Sequence, residues 1–223
     1  SNIVDDFYRL ICMTKSSKCV VVKFQMSPKS MEIQCVSDIQ RQKHILCMKW
    51  MPKQQQDSSA VQWFVAGSLD GKIVLYEIDA NGKITLKSML WDEDDQLSTN
   101  CIEICVQSDN KFLIVAVKGS VFLSFLLNKD LKLIAETYEM VSSYPLTGLM
   151  HLNNTEFLVT ALNSKVHKVT VNFDCEKEII NIQNENIALE LNLNGCSLFG
   201  IAASKNKAFI ALVSFVTQVS NFL

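Results

Sequence analysis

The sequence lacks the features that mark membrane-spanning and nucleic-acid-binding proteins. No apolar run is long enough to cross a bilayer, and no secretory signal peptide is visible. The 21 lysines and arginines are balanced by 23 aspartates and glutamates, and they form no dense basic cluster. Because nucleic-acid binders usually carry a basic face or stripe, neutralising phosphates is not expected to be the main activity.

Long stretches with the 3.6-residue period of an amphipathic helix are also missing. The best helical candidate is the segment 3–13, which could equally form a strand. Short runs rich in valine, isoleucine, phenylalanine and tyrosine dominate the chain, and turn residues separate them. Because 48% of the residues are hydrophobic and 20% are charged, we expect a packed all-β protein and little disorder.

The cysteines are predicted to be free and buried. They lie mostly inside apolar runs, where a thiol behaves as a small hydrophobe, at Cys12, Cys19, Cys35, Cys47, Cys101, Cys105, Cys175 and Cys196. With no visible signal peptide, a reducing compartment is expected. Cys101 and Cys105 are four residues apart, but a zinc site would normally need a second such pair. On a strand this spacing points both side chains into the core.

A unit of four short strands recurs along the chain. First strands are predicted at 45–50, 101–106, 146–152 and 198–204, second strands at 63–67, 112–117, 157–161 and 208–213, and third strands at 72–78, 121–127, 165–171 and 215–222. A more polar fourth strand closes the first three units at 83–91, 131–138 and within 178–193. Four strands recurring at about 40–50 residues are typical of the blades of a β-propeller.

Turn residues support the blade interpretation. Asp70-Gly71 strongly favours a hairpin turn, because glycine adopts positive φ without steric cost. The segment 67–72 superficially resembles a phosphate-binding loop, but Ile73 stands where serine or threonine would bind magnesium. Trp50-Met51-Pro52 is similar to the end of a WD40 inner strand. The usual Gly-His dipeptide is absent, which indicates divergent WD40-like blades.

The blade count predicts an incomplete ring within one domain. We expect residues 1–223 to form a single partial β-propeller, in which 1–40 is the end of one blade, 45–91, 101–138 and 146–193 are full blades, and 198–223 starts a further blade. The chain begins at Ser1, which suggests a fragment. An open ring would expose strand edges, so we expect limited solubility.

The densest charge run is the candidate contact site. Asp92, Glu93, Asp94 and Asp95 are expected first as a solvated loop, and otherwise as a cation site or a contact for a basic protein surface. Of the two functional interpretations we favour the protein contact. His151 and His167 have no serine or cysteine partner identifiable from sequence, and no Gly-x-Ser-x-Gly elbow occurs. No catalytic, cofactor-binding or metal-binding residue is therefore predicted, and no cofactor is expected.

Three ordered segments, 89–106, 112–127 and 199–212, resemble the WD40-like propeller region of the 90-kDa subunit family of general transcription factor IIIC. The likeness includes Leu90-Trp91, then Asp95-Gln96-Leu97, then the Ala-x-x-Gly-Ser hairpin that ends at Ser120. Order and spacing agree over about 63–212, whereas the first sixty residues match only as propeller strands.

The resemblance implies a nuclear protein-interaction scaffold that helps recruit the RNA polymerase III machinery. Implied partners are other transcription factor IIIC subunits and RNA polymerase III initiation factors, with DNA reached only through the complex and no membrane. The same family is associated with histone acetyltransferase activity, but the Arg/Gln-x-x-Gly-x-Gly/Ala turn that cradles acetyl-CoA does not occur here. Two alternatives stay open: such an enzyme, or a WD40 scaffold of another nuclear or trafficking complex.

Overall fold

The structure is a computed structural model of the chain. It describes residues 7–13, 18–26, 31–40, 44–52, 61–79, 83–93, 97–107, 111–153, 155–174, 177–187, 196–204, 206 and 210–216. Side chains are described from residue 44 onward within these ranges, except at 196, 215 and 216. This part of the chain contains no helix with the length and apolar character that crossing a membrane requires.

Seventeen β-strands account for the regular structure of the described residues. In chain order they are β1 (Phe7–Met13), β2 (Lys18–Met26), β3 (Met31–Gln40), β4 (Ile45–Trp50), β5 (Gln62–Ser68), β6 (Ile73–Ile78), β7 (Ile84–Trp91), β8 (Thr99–Val106), β9 (Phe112–Lys118), β10 (Val121–Leu127), β11 (Leu133–Met140), β12 (Leu146–Asn153), β13 (Glu156–Ala161), β14 (Val166–Asp174), β15 (Ile179–Ile187), β16 (Cys196–Ala203) and β17 (Ile210–Val216).

The strands form five antiparallel sheets, and order within each sheet follows order along the chain. Blade 1 has three strands (β1–β3), blades 2, 3 and 4 have four each (β4–β7, β8–β11 and β12–β15), and blade 5 has two (β16–β17). The predicted fold class is thus confirmed: an all-β, incomplete propeller with three full blades and partial blades at both ends.

Two details of the strand assignment are now settled. The segment 3–13, which could have been a helix, contains strand β1, paired to β2 from Phe7 to Met13. The third strand predicted at 215–222 is wrong at its start, because Phe215 and Val216 end β17 and pair with β16. An uninterrupted apolar run hides the boundary between neighbouring strands. The rest of that predicted strand lies outside the described residues.

The blades are arranged radially. The first strands of successive blades contact one another, β4 with β8, β8 with β12 and β12 with β16. The outer strands β11 and β15 also meet, and β3 meets β7. In a β-propeller, the first strands of the sheets lie around a common axis and neighbouring sheets pack face to face.

Strand β9 shows how the sequence dictates this packing. All seven of its residues are buried, because both faces of its sheet are covered. Phe112, Ile114 and Ala116 join the apolar core shared with blade 2. The alternate positions Leu113 and Val115 join the core shared with blade 4. A nearly continuous apolar run therefore marks a strand in the middle of a blade.

Candidate functional site

The antiparallel strands place alternate connections on two faces of the propeller. One face, which we call the hairpin face, carries the connections at 69–72, 119–120, 141–145 and 162–165, together with residues 92–93 and 97–98. The opposite face carries the turn at 128–132 and residues 107, 111 and 155. Loops fixed at the ends of packed strands are where propellers carry their function.

The acidic run predicted as a contact site lies on the hairpin face. Asp92 forms a salt bridge with Lys72, from the hairpin between β5 and β6. Glu93 is held through its backbone, because its carbonyl oxygen accepts a hydrogen bond of 3.3 Å from Lys118 Nζ. Asp94 and Asp95 lie outside the described residues. The start of the run is therefore tied to both blade 2 and blade 3.

Lys118 is the residue that sequence reasoning missed. It is 2% exposed, and its ammonium group lies 5.6 Å from the centroid of the Trp91 ring. A cation above an indole face gains from the quadrupole of the ring. The available signal was a single lysine ending the apolar run 112–117, directly before a Gly-Ser hairpin.

Gly71 leaves the space that the Lys118 side chain needs. Its φ is +78°, a conformation that side-chain-bearing residues rarely adopt. A Cβ atom at this position would clash with the carbonyl oxygen of Leu97 and with the end of the Lys118 side chain. The carbonyl oxygen of Gly71 also accepts a hydrogen bond of 3.0 Å from Thr99 Oγ1, which joins blade 2 to blade 3.

Exposed aromatic and methionine side chains lie beside the acidic run. The Tyr138 ring is 6.1 Å from the Trp91 ring in an edge-to-face arrangement, and Tyr138 is 64% exposed. Met140, two residues further along β11, is 67% exposed. Aromatic residues and methionine are enriched in protein–protein interfaces. The outer rim of blades 2 and 3 thus combines negative charge with large apolar side chains.

Hydrogen bonds near the propeller axis join each full blade to the next. Each inner strand has a bulge near its start, at Ile45/Cys47, Thr99/Cys101, Leu146/Gly148 and Leu198/Gly200. The Cys47 thiol donates to the carbonyl oxygen of Thr99 (3.4 Å), and the Cys101 thiol donates to that of Thr147 (3.7 Å). The Thr147 hydroxyl continues the series to Leu198 (2.6 Å).

The three cysteines whose side chains the structure describes, Cys47, Cys101 and Cys105, therefore act as packing and hydrogen-bonding groups. Cys105 is 4% exposed in the core between blades 3 and 4, and Cys101 packs against the same core, as the strand spacing predicted. Burial raises the pKa of both Cys47 and Cys101, and that of Cys47 reaches about 12. Among the described residues, no group of three His, Cys, Asp or Glu side chains could hold a metal ion.

His151 and His167 occupy packed positions. His151 lies 5.4 Å from the ring of Phe157. His167 is 6% exposed, and burial lowers its pKa, an effect that the amide of Asn184 partly offsets. A neutral imidazole at pH 7 follows for His167.

A comparison with known protein families shows the family of this chain. Residues 21–220 match the transcription factor IIIC subunit delta β-propeller domain. The chain belongs to this family. The resemblance drawn from the segments 89–106, 112–127 and 199–212 is therefore confirmed, and the match extends beyond them to blade 1. No curated protein matches the chain.

Solved structures similar to this transcription factor IIIC delta domain share its fold at low identity. A protein from Lactobacillus plantarum has a TM-score of 0.58 at 10% identity, with 92% of this chain and 63% of that chain covered. Sqt1 of Saccharomyces cerevisiae has a TM-score of 0.59 at 14% identity, with 94% and 58% covered. BBS1N, solved in complex with ARL6DN, has a TM-score of 0.52 at 12% identity, with 92% and 72% covered. The chain thus spans about three fifths of the first two.

Proposed function

We propose that this chain is a protein-interaction scaffold of transcription factor IIIC, working in the nucleus to help recruit the RNA polymerase III machinery. The family match over residues 21–220 is the observation that carries this proposal. The proposed partners are other subunits of transcription factor IIIC and RNA polymerase III initiation factors. DNA would be reached only through the assembled complex, because the chain has no basic excess.

The proposed scaffold role depends on how the blades hold their loops. We propose that residues 1–223 contribute to one propeller domain, with blade segments at 1–40, 45–91, 101–138, 146–193 and 198–223. Strands packed on both faces hold the loops in fixed positions, so little conformational entropy is lost when a partner binds. A rigid platform of this kind suits a subunit that bridges several proteins.

We propose that Asp92, Glu93, Asp94 and Asp95 contact a basic surface of one partner. The neighbouring Tyr138 provides an exposed ring on which an arginine of the partner could stack. This proposed contact is supported by the presence of negative charge and exposed apolar side chains on the same rim. A solvated loop would need no such neighbours.

Affinity purification from nuclear extract with quantitative mass spectrometry tests the proposed role. The tagged chain should enrich transcription factor IIIC subunits and RNA polymerase III initiation factors over a tag-only control. Enrichment of coat or transport proteins in their place would contradict the proposal and favour a trafficking scaffold. An acetylation assay on the purified chain covers the enzyme alternative, because acetyl-CoA-dependent turnover of histone would contradict a purely structural role.

A further inference from the structure

A cleft of about 180 Å³ opens between blades 3 and 4 on the opposite face of the propeller. Its floor is apolar and belongs to the core shared by the two blades. Leu113, Leu126 and Val171 lie there, each no more than 3% exposed. The rim comes from residues 107, 111, 155, 172 and 173, which lie at or near the ends of β8, β9, β13 and β14.

Two polar groups of the cleft, Lys111 Nζ and Gln107 Nε2, are hydrogen-bond donors. Of the nine side chains in the lining, all within the described ranges, only Lys111 is charged. Its ammonium group lies 5.1 Å from the centroid of the Phe173 ring. Gln107 Nε2 is buried, and it has no hydrogen-bond partner among the described residues. A buried donor without an acceptor is unfavourable, so this amide favours a ligand that brings an oxygen acceptor.

The cleft is formed before any ligand arrives. The backbone N–H of Gln107 donates to the carbonyl oxygen of Lys111 at 2.8 Å, which closes the turn of blade 3. The N–H of Val171 donates to the carbonyl oxygen of Thr155 at 2.9 Å, which fixes the turn of blade 4. Both walls are therefore held by backbone hydrogen bonds, and binding needs little rearrangement.

We propose that this cleft binds a short acidic-apolar segment of a partner protein. One aliphatic or aromatic side chain would fill the floor, and an adjacent carboxylate would meet Lys111 and the amide of Gln107. The Lys111 ammonium group selects an anion, and the floor selects an apolar group next to it. This inference rests on the scaffold role proposed above, and it adds a second partner site on the face away from the acidic run.

Fluorescence anisotropy with three labelled hexapeptides tests the proposal on the full chain. One peptide alternates aspartate with leucine, the second alternates lysine with leucine, and the third alternates aspartate with serine. We expect saturable binding of the first peptide only. Lys111→Met and Gln107→Leu should each weaken it by about tenfold, since each removes a hydrogen bond to a charged group.

Lys132→Met is the matched control, because this exposed lysine lies on the neighbouring turn and outside the cleft. It should bind the first peptide as the unmodified chain does. Circular dichroism and thermal melting check that each variant is folded. Gln107→Leu keeps the test valid if Lys111→Met is unstable, because it leaves the cation in place.

Several outcomes would overturn the proposal: no binding of the first peptide, equal binding of all three, undiminished binding by both cleft variants, or equal loss with Lys132→Met. Binding of a fluorescent fatty acid without any peptide would assign the cleft to a small ligand and also overturn it. These peptide measurements do not depend on which proteins the chain enriches from extract. Failure here is therefore distinguishable from failure of the transcription factor IIIC role.

Discussion

The Lys118 ammonium group lies 5.6 Å from the centre of the Trp91 ring and joins two blades of the propeller. Trp91 ends the outer strand of blade 2, whereas Lys118 ends the second strand of blade 3. The same ammonium group donates to the carbonyl oxygen of Glu93. A buried cation thus fixes the position at which the acidic run leaves the core.

Replacing Lys118 with methionine isolates the contribution of this cation. Methionine keeps most of the aliphatic length but removes the cation–π contact and the hydrogen bond to Glu93. We expect a loss of about 1–2 kcal/mol in the free energy of unfolding. Urea denaturation followed by tryptophan fluorescence measures it. Lys165→Met is the control, since Lys165 is exposed in the corresponding turn of blade 4. Equal stability of the two variants would argue against a buried anchor.

Substituting alanine at Gly71 should destabilise the chain by about 1–3 kcal/mol, because positive φ strain adds to a backbone clash. The φ at Gly71 is +78°, and the added Cβ would meet Leu97 and Lys118. Gly200→Ala is the matched control, because the nearest atom to an added Cβ there, Val213 Cβ, is 4.0 Å away. Thermal melting of both variants compares them. A larger effect at Gly200 would contradict the packing described here.

Cys47 should react slowly with iodoacetamide while the chain is folded. Burial raises the pKa of its thiol from the ordinary value of 9.0 to about 12, and the nearby Cys101 adds to this. Because the thiolate is the reactive form, and its fraction at pH 8 falls about a thousandfold, we expect alkylation to be roughly a thousandfold slower than in urea. Mass spectrometry of the peptide that contains Cys47 gives the rate. Equal rates in both conditions would show that the thiol is accessible.

The same raised pKa links stability to pH. The folded chain holds the Cys47 proton up to about pH 12, whereas the unfolded chain releases it near pH 9. The contribution of this thiol is therefore complete below pH 9 and is lost as the pH rises from there towards 12. Cys47→Ser should show a shallower decline in urea midpoint over that range. An identical decline in both proteins would contradict the assignment.

Reversing the charge at Glu93 and Asp95 tests the proposed contact with a basic partner. These two substitutions to lysine leave the Asp92 salt bridge with Lys72 in place. We expect partner recovery to fall about tenfold at low salt, and the difference to shrink as salt screens the charges. Asp130→Lys with Glu185→Lys makes the same charge change at exposed positions elsewhere. Unchanged recovery at low salt, or an equal loss with this control pair, would count against the contact.

The blades were predictable from sequence because their signals are local. Alternating apolar residues and the Asp70-Gly71 turn lie within a few residues of one another, and they mark strands and hairpins directly. The segment 3–13 was ambiguous, since a short apolar run does not separate helix from strand. The family resemblance came from three ordered segments, none of which is diagnostic alone.

The remaining features depend on residues far apart in the chain. Lys118 is buried because Trp91 and Gly71 from another blade enclose it, which no local pattern reveals. The cleft combines Gln107 and Lys111 with Phe173, more than sixty positions away. Contacts between blades must therefore be seen in three dimensions.

Three side-chain hydrogen bonds near the axis run from one blade to the next along the chain. Cys47 reaches Thr99, Cys101 reaches Thr147, and Thr147 reaches Leu198, so each junction involves only two consecutive blades. Architectures held together by nearest-neighbour interfaces can lose one junction while the others persist. Disruption of one junction should therefore divide the molecule into two parts that stay folded, each still able to present its own loops.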